Sequence, residues 1–150
     1  MRFVVAVLLL LSLAGRAAAQ DCTGHPGPLR LHVDVGNVRS SAGLIAVTLY
    51  PDDRRRFLAH RGSLYVGRVP AAAGTTRVCV FLPGPGAYAI AVYHDADANR
   101  HINRNVLGMP SEGYGFSNNA PALFGLPSFS RVRLTVRRND MTTSISLHYP

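Results

Sequence analysis

The segment with the clearest chemical character follows an apolar stretch in the second half of the chain. It reads Asp95-Ala96-Asp97-Ala98-Asn99, which places an oxygen-bearing side chain at every second position. Carboxylate and amide oxygens that alternate on a tight loop suit a hard cation such as Ca²⁺, which takes about six to eight oxygen ligands. This Asp/Asn loop is therefore the best candidate for a functional site, with Ca²⁺ as its cofactor.

An alignment with a calcium-binding loop extends the candidate ligand set. The ligand positions fall on Asp95, Asp97, Asn99, the backbone carbonyl of His101, and Asn103. Two positions depart from the usual pattern, because Arg100 stands where Gly allows a left-handed turn and Val106 stands where a Glu binds through both oxygens. Glu112 is the later carboxylate that would return to complete the oxygen shell.

Other interpretations of these residues stay open. Asp and Asn side chains also form turns without a metal, by accepting hydrogen bonds from nearby backbone N–H groups. His94 and His101, together with Glu112, would suit Zn²⁺ or Cu²⁺. Neighbouring residues on a strand point to opposite faces, however, which separates His94 from Asp95. A metal beside Glu112 would also permit hydrolysis.

Nucleophilic catalysis has little support in the sequence. It contains no Gly-x-Ser-x-Gly motif, and its two cysteines are expected to be oxidised. The acids that cluster are those of the Asp/Asn loop and Glu112, and clustering is equally what a cation site requires. A non-enzymatic role is therefore favoured.

Aromatic side chains follow the Asp/Asn loop. Tyr114 and Phe116, with His94 and Asn118, are candidates for a ligand-facing surface. The rings of Tyr114, Phe116, Phe124 and Phe129 would alternatively pack the long loop onto a sheet.

Short strands must position these residues. Three segments alternate strictly between apolar and polar residues, and two are apolar on both faces, as expected of covered strands. The three alternating segments are 29–35, 131–137 and 144–149, and the two that are apolar on both faces are 44–50 and 87–93. An intermediate run at 76–82 and an edge strand at 63–68 bring the total to about six or seven, which predicts an all-β fold, an antiparallel β-sandwich. Phe57 and Leu58 are predicted to form a short turn of helix.

The segment from Asp95 to Ser130 is far longer than the usual connection of about 4–6 residues. It carries too many large apolar side chains for a disordered region. We expect it to be ordered and packed over one end of the sandwich.

The N-terminus has the pattern of a secretory signal peptide. Arg2 precedes an apolar run from Phe3 to Leu13, and Ala17-Ala18-Ala19 provides a cleavage site before Gln20. The predicted division is a signal peptide over 1–19 and a single domain over 20–150, secreted or periplasmic. The apolar run is too short to span a bilayer, which needs about 20 residues. The mature chain contains no apolar run that could do so.

Export to an oxidising compartment makes the cysteines informative. Cys22 and Cys79 are an even pair, so a single disulfide is expected, with two separate buried thiols as the alternative. The 16 Lys and Arg positions are all Arg, and the formal net charge is +8. Such a charge favours an anionic surface or an envelope component as partner. An exported chain without a recognition motif is a poor candidate for binding nucleic acid.

Several motifs together resemble one family. They are Gly86 to Asp95, the Asp/Asn loop, Leu107-Gly108-Met109-Pro110, Glu112-Gly113-Tyr114-Gly115-Phe116-Ser117-Asn118-Asn119 and Pro127-Ser128-Phe129. Over about Leu29 to Tyr149 the chain resembles the DUF2141 family of exported bacterial proteins. The resemblance implies a secreted or periplasmic β-sandwich of prealbumin-like or immunoglobulin-like type, and no particular activity. Members of that family more often carry Gly where Arg100 stands and Asp where Asn103 stands.

These observations favour an exported, non-enzymatic β-sandwich module of the cell envelope or extracellular space. Its Asp/Asn loop would bind Ca²⁺ and so order a surface that faces a ligand or partner. The alternatives are a periplasmic protein that binds Cu²⁺ or Zn²⁺ and a metal-dependent hydrolase.

Overall fold

The computed structural model describes residues 21–122 and 125–150, and the predicted signal peptide and Phe124 lie outside them. Strands and two short helical turns make up the regular structure of the described residues. The strands are β1 (Leu29–Val38), β2 (Leu44–Pro51), β3 (Tyr65–Pro70), β4 (Gly74–Leu82), β5 (Gly86–Asp95), β6 (Tyr114–Phe116), β7 (Leu134–Val136) and β8 (Met141–Ser146). The helical turns are a 3₁₀ turn at Ser117–Asn119 and α1 at Phe129–Val132.

The strands form two sheets that pack face to face. The first sheet has the order β4-β1-β8, and the second has the order β3-β2-β5-β6. β7 and β6 pair with the same edge of β5. β7 pairs with the beginning of β5, and β6 pairs farther along it. The predicted β-sandwich is confirmed, and its strand pairs are antiparallel apart from β1 and β8, which run parallel.

The main core lies between the two sheets. Alternate residues of each long strand point inward, because successive side chains of a strand face opposite sides of its sheet. Deeply buried members of this core include Leu31, Val33, Val35, Ile45, Val47, Leu49, Val78, Val80, Leu82, Ile90, Val136 and Ile145. Burial of one such side chain contributes about 1.5–3 kcal/mol relative to exposure, so this core provides the main stabilisation of the sandwich.

A second apolar cluster covers the outer face of the second sheet. Tyr50 of β2 and Ala89 of β5 point outward and contact Phe116, Ala120 and Val132. The described part of the long segment after β5 is therefore folded, and it packs along this outer face. We predicted that the segment covers one end of the sandwich. It also covers the outer face of the second sheet, because β6 pairs with β5 and the residues after β6 pack on that face.

Two local predictions need correction. The predicted strand at 131–137 is a strand only over β7, because α1 precedes it. Phe129 and Val132 lie three residues apart, so one helical turn directs both onto the second cluster. Phe57 and Leu58 lie in hydrogen-bonded turns rather than a helix, and Leu58 has a φ of 56°.

The predicted disulfide between Cys22 and Cys79 is present, with the two Cα atoms 4.4 Å apart. The neighbouring Thr23 donates its N–H to the Cys79 carbonyl (2.8 Å) and accepts from the Phe81 N–H (3.0 Å). Covalent and hydrogen bonds thus tie the N-terminal segment to β4. Among the described residues no helix is long and apolar enough to cross a membrane.

Candidate functional site

The Asp/Asn loop begins where β5 ends. The carboxylate of Asp95, the last residue of that strand, is fully buried. Its Oδ1 accepts a hydrogen bond from the Asn99 N–H (3.0 Å), and its Oδ2 accepts one from the Arg100 N–H (2.8 Å). Bonds to two successive backbone N–H groups curl the chain around this carboxylate.

Arg100 makes the turn that Gly usually makes at this position. Its φ is 68°, in the left-handed region that favours glycine. Its carbonyl oxygen accepts a hydrogen bond from Nη2 of Arg68 (3.4 Å). The chain therefore makes a left-handed turn at this position although the Gly is missing.

Glu112 lies against the Asp/Asn loop and is 8% exposed. Its Oε1 accepts a hydrogen bond from the Ala96 N–H (3.0 Å), and its Oε2 accepts one from the Asn103 N–H (2.9 Å). One carboxylate thus joins the beginning of the loop to its end, across a long stretch of sequence.

The exposed Asp97 and Asn99 and the half-buried Asn103 form the rim of the loop. The Nδ2 groups of both asparagines donate to Asp97 Oδ2 at 2.9 Å, and Asn99 Nδ2 also donates to Asn103 Oδ1 (2.8 Å). The Asn103 amide, as the largest influence, lowers the pKa of Asp97 below its usual 3.8. These hydrogen bonds therefore favour the ionised carboxylate.

The three carboxylates of the loop lie close together. Asp95, Asp97 and Glu112 each offer an oxygen within 4.8 Å of the others. None of the ion pairs between described residues includes any of the three. Such a group of like charges is destabilising by itself and suits a divalent cation with oxygen ligands. The same bonds to backbone N–H groups are also those of turn-forming Asp side chains, so the geometry accommodates both interpretations.

His94 lies in the interior of the sandwich, 2% exposed, rather than on a ligand-facing surface. Its Nε2 is 2.8 Å from the Ala42 carbonyl oxygen, and its Nδ1 is 2.8 Å from the Tyr149 hydroxyl. Because a carbonyl only accepts, Nε2 carries a proton, and the Tyr149 hydroxyl is able to donate to Nδ1 or to accept from it. Both ring nitrogens are thus engaged within the protein. His101 is exposed, and its N–H donates to Asn99 Oδ1 (2.8 Å).

The other predicted surface residues pack the long segment onto the sheet. Phe116 is 5% exposed in the second cluster, and its ring lies 6.1 Å from that of the half-buried Tyr114. Asn118 is exposed, but its Nδ2 donates to the carbonyl oxygens of Arg131 and Arg133, both at 3.0 Å. These contacts favour the packing interpretation of the aromatic residues.

A comparison with protein families identifies the chain. A family model described as an uncharacterized protein conserved in bacteria (DUF2141) matches residues 33–144. The chain belongs to the DUF2141 family. The match includes the Asp/Asn loop and the whole block from Glu112 to Asn119. Searches of curated proteins and of solved structures found no match to the chain.

Two glycines in this DUF2141 block allow β6 and the residue before it to approach the C-terminal part of the chain closely. A Cβ atom on Gly113 would lie 2.4 Å from the ring of Tyr149, the tyrosine that holds His94. A Cβ atom on Gly115 would lie 2.8 Å from both Ile145 Cγ2 and the Ser146 carbonyl oxygen. Neither position has room for a side chain without displacement of its neighbours.

Ser117 explains another part of the DUF2141 block. It is fully buried, and its Oγ accepts the Ile90 N–H (3.0 Å) and donates to the Val132 carbonyl. The hydroxyl thus links β5 to α1. Most of the block therefore serves packing, and within it Glu112 is the residue that touches the Asp/Asn loop.

The sequence analysis missed two polar residues of this DUF2141 member, Tyr50 and Arg104. Both line a groove over the outer face of the second sheet. A signal was present on β2, where Ile45, Val47 and Leu49 alternate with Thr48 and Tyr50. That alternation indicates a second, outward-facing set of residues.

Proposed function

We propose that this DUF2141 member is an exported, non-enzymatic β-sandwich module in which Ca²⁺ orders the segment between β5 and β6. Asp95, Asp97 and Glu112 would hold the ion. The backbone carbonyl of His101 and the amide oxygens of the loop would complete the shell. The ordered segment would then present a ligand-facing surface.

The observation that carries the proposal is a group of three close carboxylates, two of them buried, that makes no ion pair with a described residue. Removing a carboxylate from water costs free energy unless a cation or hydrogen bonds compensate. Here hydrogen bonds from neutral groups provide part of that compensation, and no ion pair contributes within the described residues. A bound divalent cation would reverse the mutual repulsion of the carboxylates.

The positions of the ligands explain why the ion would order the segment. Asp95 stands at the end of β5, and Glu112 stands two residues before β6. A cation between them would therefore join both ends of the segment and close it into a fixed loop. Export is supported by the disulfide and by the N-terminal sequence pattern, which lies outside the described residues.

The test is the melting temperature in millimolar Ca²⁺ and in excess chelator. A ligand that binds only the folded state stabilises it by about 2.7 kcal/mol at a hundredfold excess over its dissociation constant. We expect this stabilisation in the wild type and its loss in Asp97→Ala and Glu112→Gln. Asp53→Ala removes a half-buried aspartate outside the site, which accepts a hydrogen bond from the Arg55 N–H, and should retain the calcium-dependent stabilisation. Equal melting of the wild type in both solutions would show that the Asp and Asn residues only form turns.

A further inference from the structure

The segment between β5 and β6 leaves an apolar groove on the outer face of the second sheet, with a cavity volume of about 320 Å³. Its floor contains Thr48 and Ala91, two small residues paired directly across β2 and β5. Ile102, Met109 and Phe116 contribute to its walls. Sites for small organic ligands begin at about 300 Å³ and are mostly apolar, so the groove has the size and lining of such a site.

Tyr50 gives the groove a hydroxyl group that is able to donate a hydrogen bond. The side chain lines the groove and is 7% exposed, and its ring packs edge-on against Phe57 at 5.3 Å. Its hydroxyl has no hydrogen-bond partner among the described residues. Burial raises the pKa of Tyr50, so the hydroxyl stays protonated and is able to donate. The hydroxyl is not among the enclosed polar atoms that lack a partner, so it is reachable from the groove, where a ligand oxygen would accept a hydrogen bond from it.

Arg104 determines the charge of the groove. Its Nη1 donates to the Gly108 carbonyl (2.8 Å), within the turn in which the Gly108 N–H donates to the Asn105 carbonyl (2.9 Å). The other N–H groups of this guanidinium make no hydrogen bond within the described part of the chain. The described lining contains no Asp or Glu. The groove is therefore complementary to an anion with an apolar body.

We propose that the groove binds a small amphipathic carboxylate of the class of medium-chain fatty acids. The carboxylate accepts hydrogen bonds from Arg104 and Tyr50, and the apolar chain lies over Thr48 and Ala91. This inference rests on the proposed function, because the segment that calcium orders forms one wall of the groove. It adds the chemical class of the ligand that the surface takes.

A membrane surface would use a different part of the same segment. Val106 and Leu107 are 102% and 82% exposed at the tip of the turn, and neither lines the groove. Insertion into a bilayer would depend on these two side chains and would leave Tyr50 without a partner. The Tyr50 hydroxyl and the Arg104 guanidinium both line the groove, and together they favour a free acid there.

The test is calorimetric titration of the disulfide-bonded protein with decanoate, below the concentration at which it forms micelles. We expect one molecule per chain in the presence of Ca²⁺, and binding of decan-1-ol at least about tenfold weaker, because its hydroxyl accepts a hydrogen bond but carries no negative charge for Arg104 to pair with. Tyr50→Phe should weaken decanoate binding about three- to tenfold, the effect of one hydrogen bond. Ala91→Leu should fill the floor and abolish binding. Leu107→Ser, outside the groove, should bind as the wild type does.

Several outcomes would overturn the inference. They are no decanoate binding to the wild type, unchanged binding to an Ala91→Leu variant with a native circular dichroism spectrum, or binding only to anionic vesicles with loss in Leu107→Ser. The melting experiment reports on calcium separately. A calcium-dependent rise in melting temperature without decanoate binding removes the groove inference alone. Decanoate binding in chelator, without that rise, supports the groove and removes the calcium proposal alone.

Discussion

Arg100 shows how a single residue is held in a conformation that its own type does not favour. The two hydrogen bonds that Asp95 accepts, from Asn99 and Arg100, fix the turn around the buried carboxylate. A left-handed φ at an L residue costs about 1–2 kcal/mol, and the surrounding bonds offset that cost. The departure from Gly at this position is visible in the sequence, whereas the left-handed φ that Arg100 adopts there is visible only in the structure.

Arg100→Gly should therefore stabilise the loop. Gly adopts this φ without steric cost but loses more entropy on folding, so the net gain in the free energy of unfolding should be about 0.5–1 kcal/mol. Arg54→Gly is the control, because Arg54 is exposed and is not among the positive-φ residues; it should lower stability by about 0.5–1 kcal/mol. Urea unfolding measures both. An equal loss in the two variants would show that Arg100 carries no strain.

At the scale of elements, the periodic strands could be predicted and the irregular ones could not. Strict alternation identified β1, and runs apolar on both faces identified β2 and β5, because these strands are long and their burial is regular. The pattern at 131–137 also satisfied the helical spacing of Phe129 and Val132, so it did not distinguish α1 from a strand. The three-residue β6 is invisible to periodicity, since the close approach of Gly115 to β8 depends on contacts distant in sequence. Glu112 was named from the sequence as a later carboxylate, but its two bonds to the ends of the loop also depend on contacts distant in sequence, and no spacing rule gives them.

Gly115→Ala tests the close approach of β6 to β8. The new Cβ would lie 2.8 Å from a backbone oxygen, which cannot move as a flexible side chain can. We expect a loss of about 1–3 kcal/mol in the free energy of unfolding, typical of overpacking. Gly84→Ala is the matched control, since a Cβ there meets no atom within 4 Å and should leave stability unchanged or raise it. Circular dichroism in urea would follow both variants, and equal midpoints would contradict the close-packing argument.

At the scale of the whole molecule, the sandwich has two clusters of buried apolar side chains. The main core lies between the sheets, and the long segment after β5 adds a second cluster on the outer face of the second sheet. On the other sheet, the N-terminal segment adds to β4 through Thr23 and the disulfide. Apolar packing holds the long segment to its sheet, and the disulfide together with hydrogen bonds holds the N-terminal segment to β4.

The disulfide should provide much of the stability of the whole domain. Cys22 and Cys79 are 57 residues apart in sequence. Closing a loop of that length lowers the entropy of the unfolded chain, which on the entropic account raises the free energy of unfolding by about 4 kcal/mol. The double variant Cys22→Ala/Cys79→Ala should lose about that much in urea unfolding. Thr23→Val keeps the disulfide and removes only the Oγ1 hydrogen bond to the Cys79 carbonyl (3.1 Å), so it should lose about 0.5–1.5 kcal/mol. If the double variant loses no more than Thr23→Val, the covalent link contributes little. The N-terminal segment would then be held to β4 by its hydrogen bonds alone.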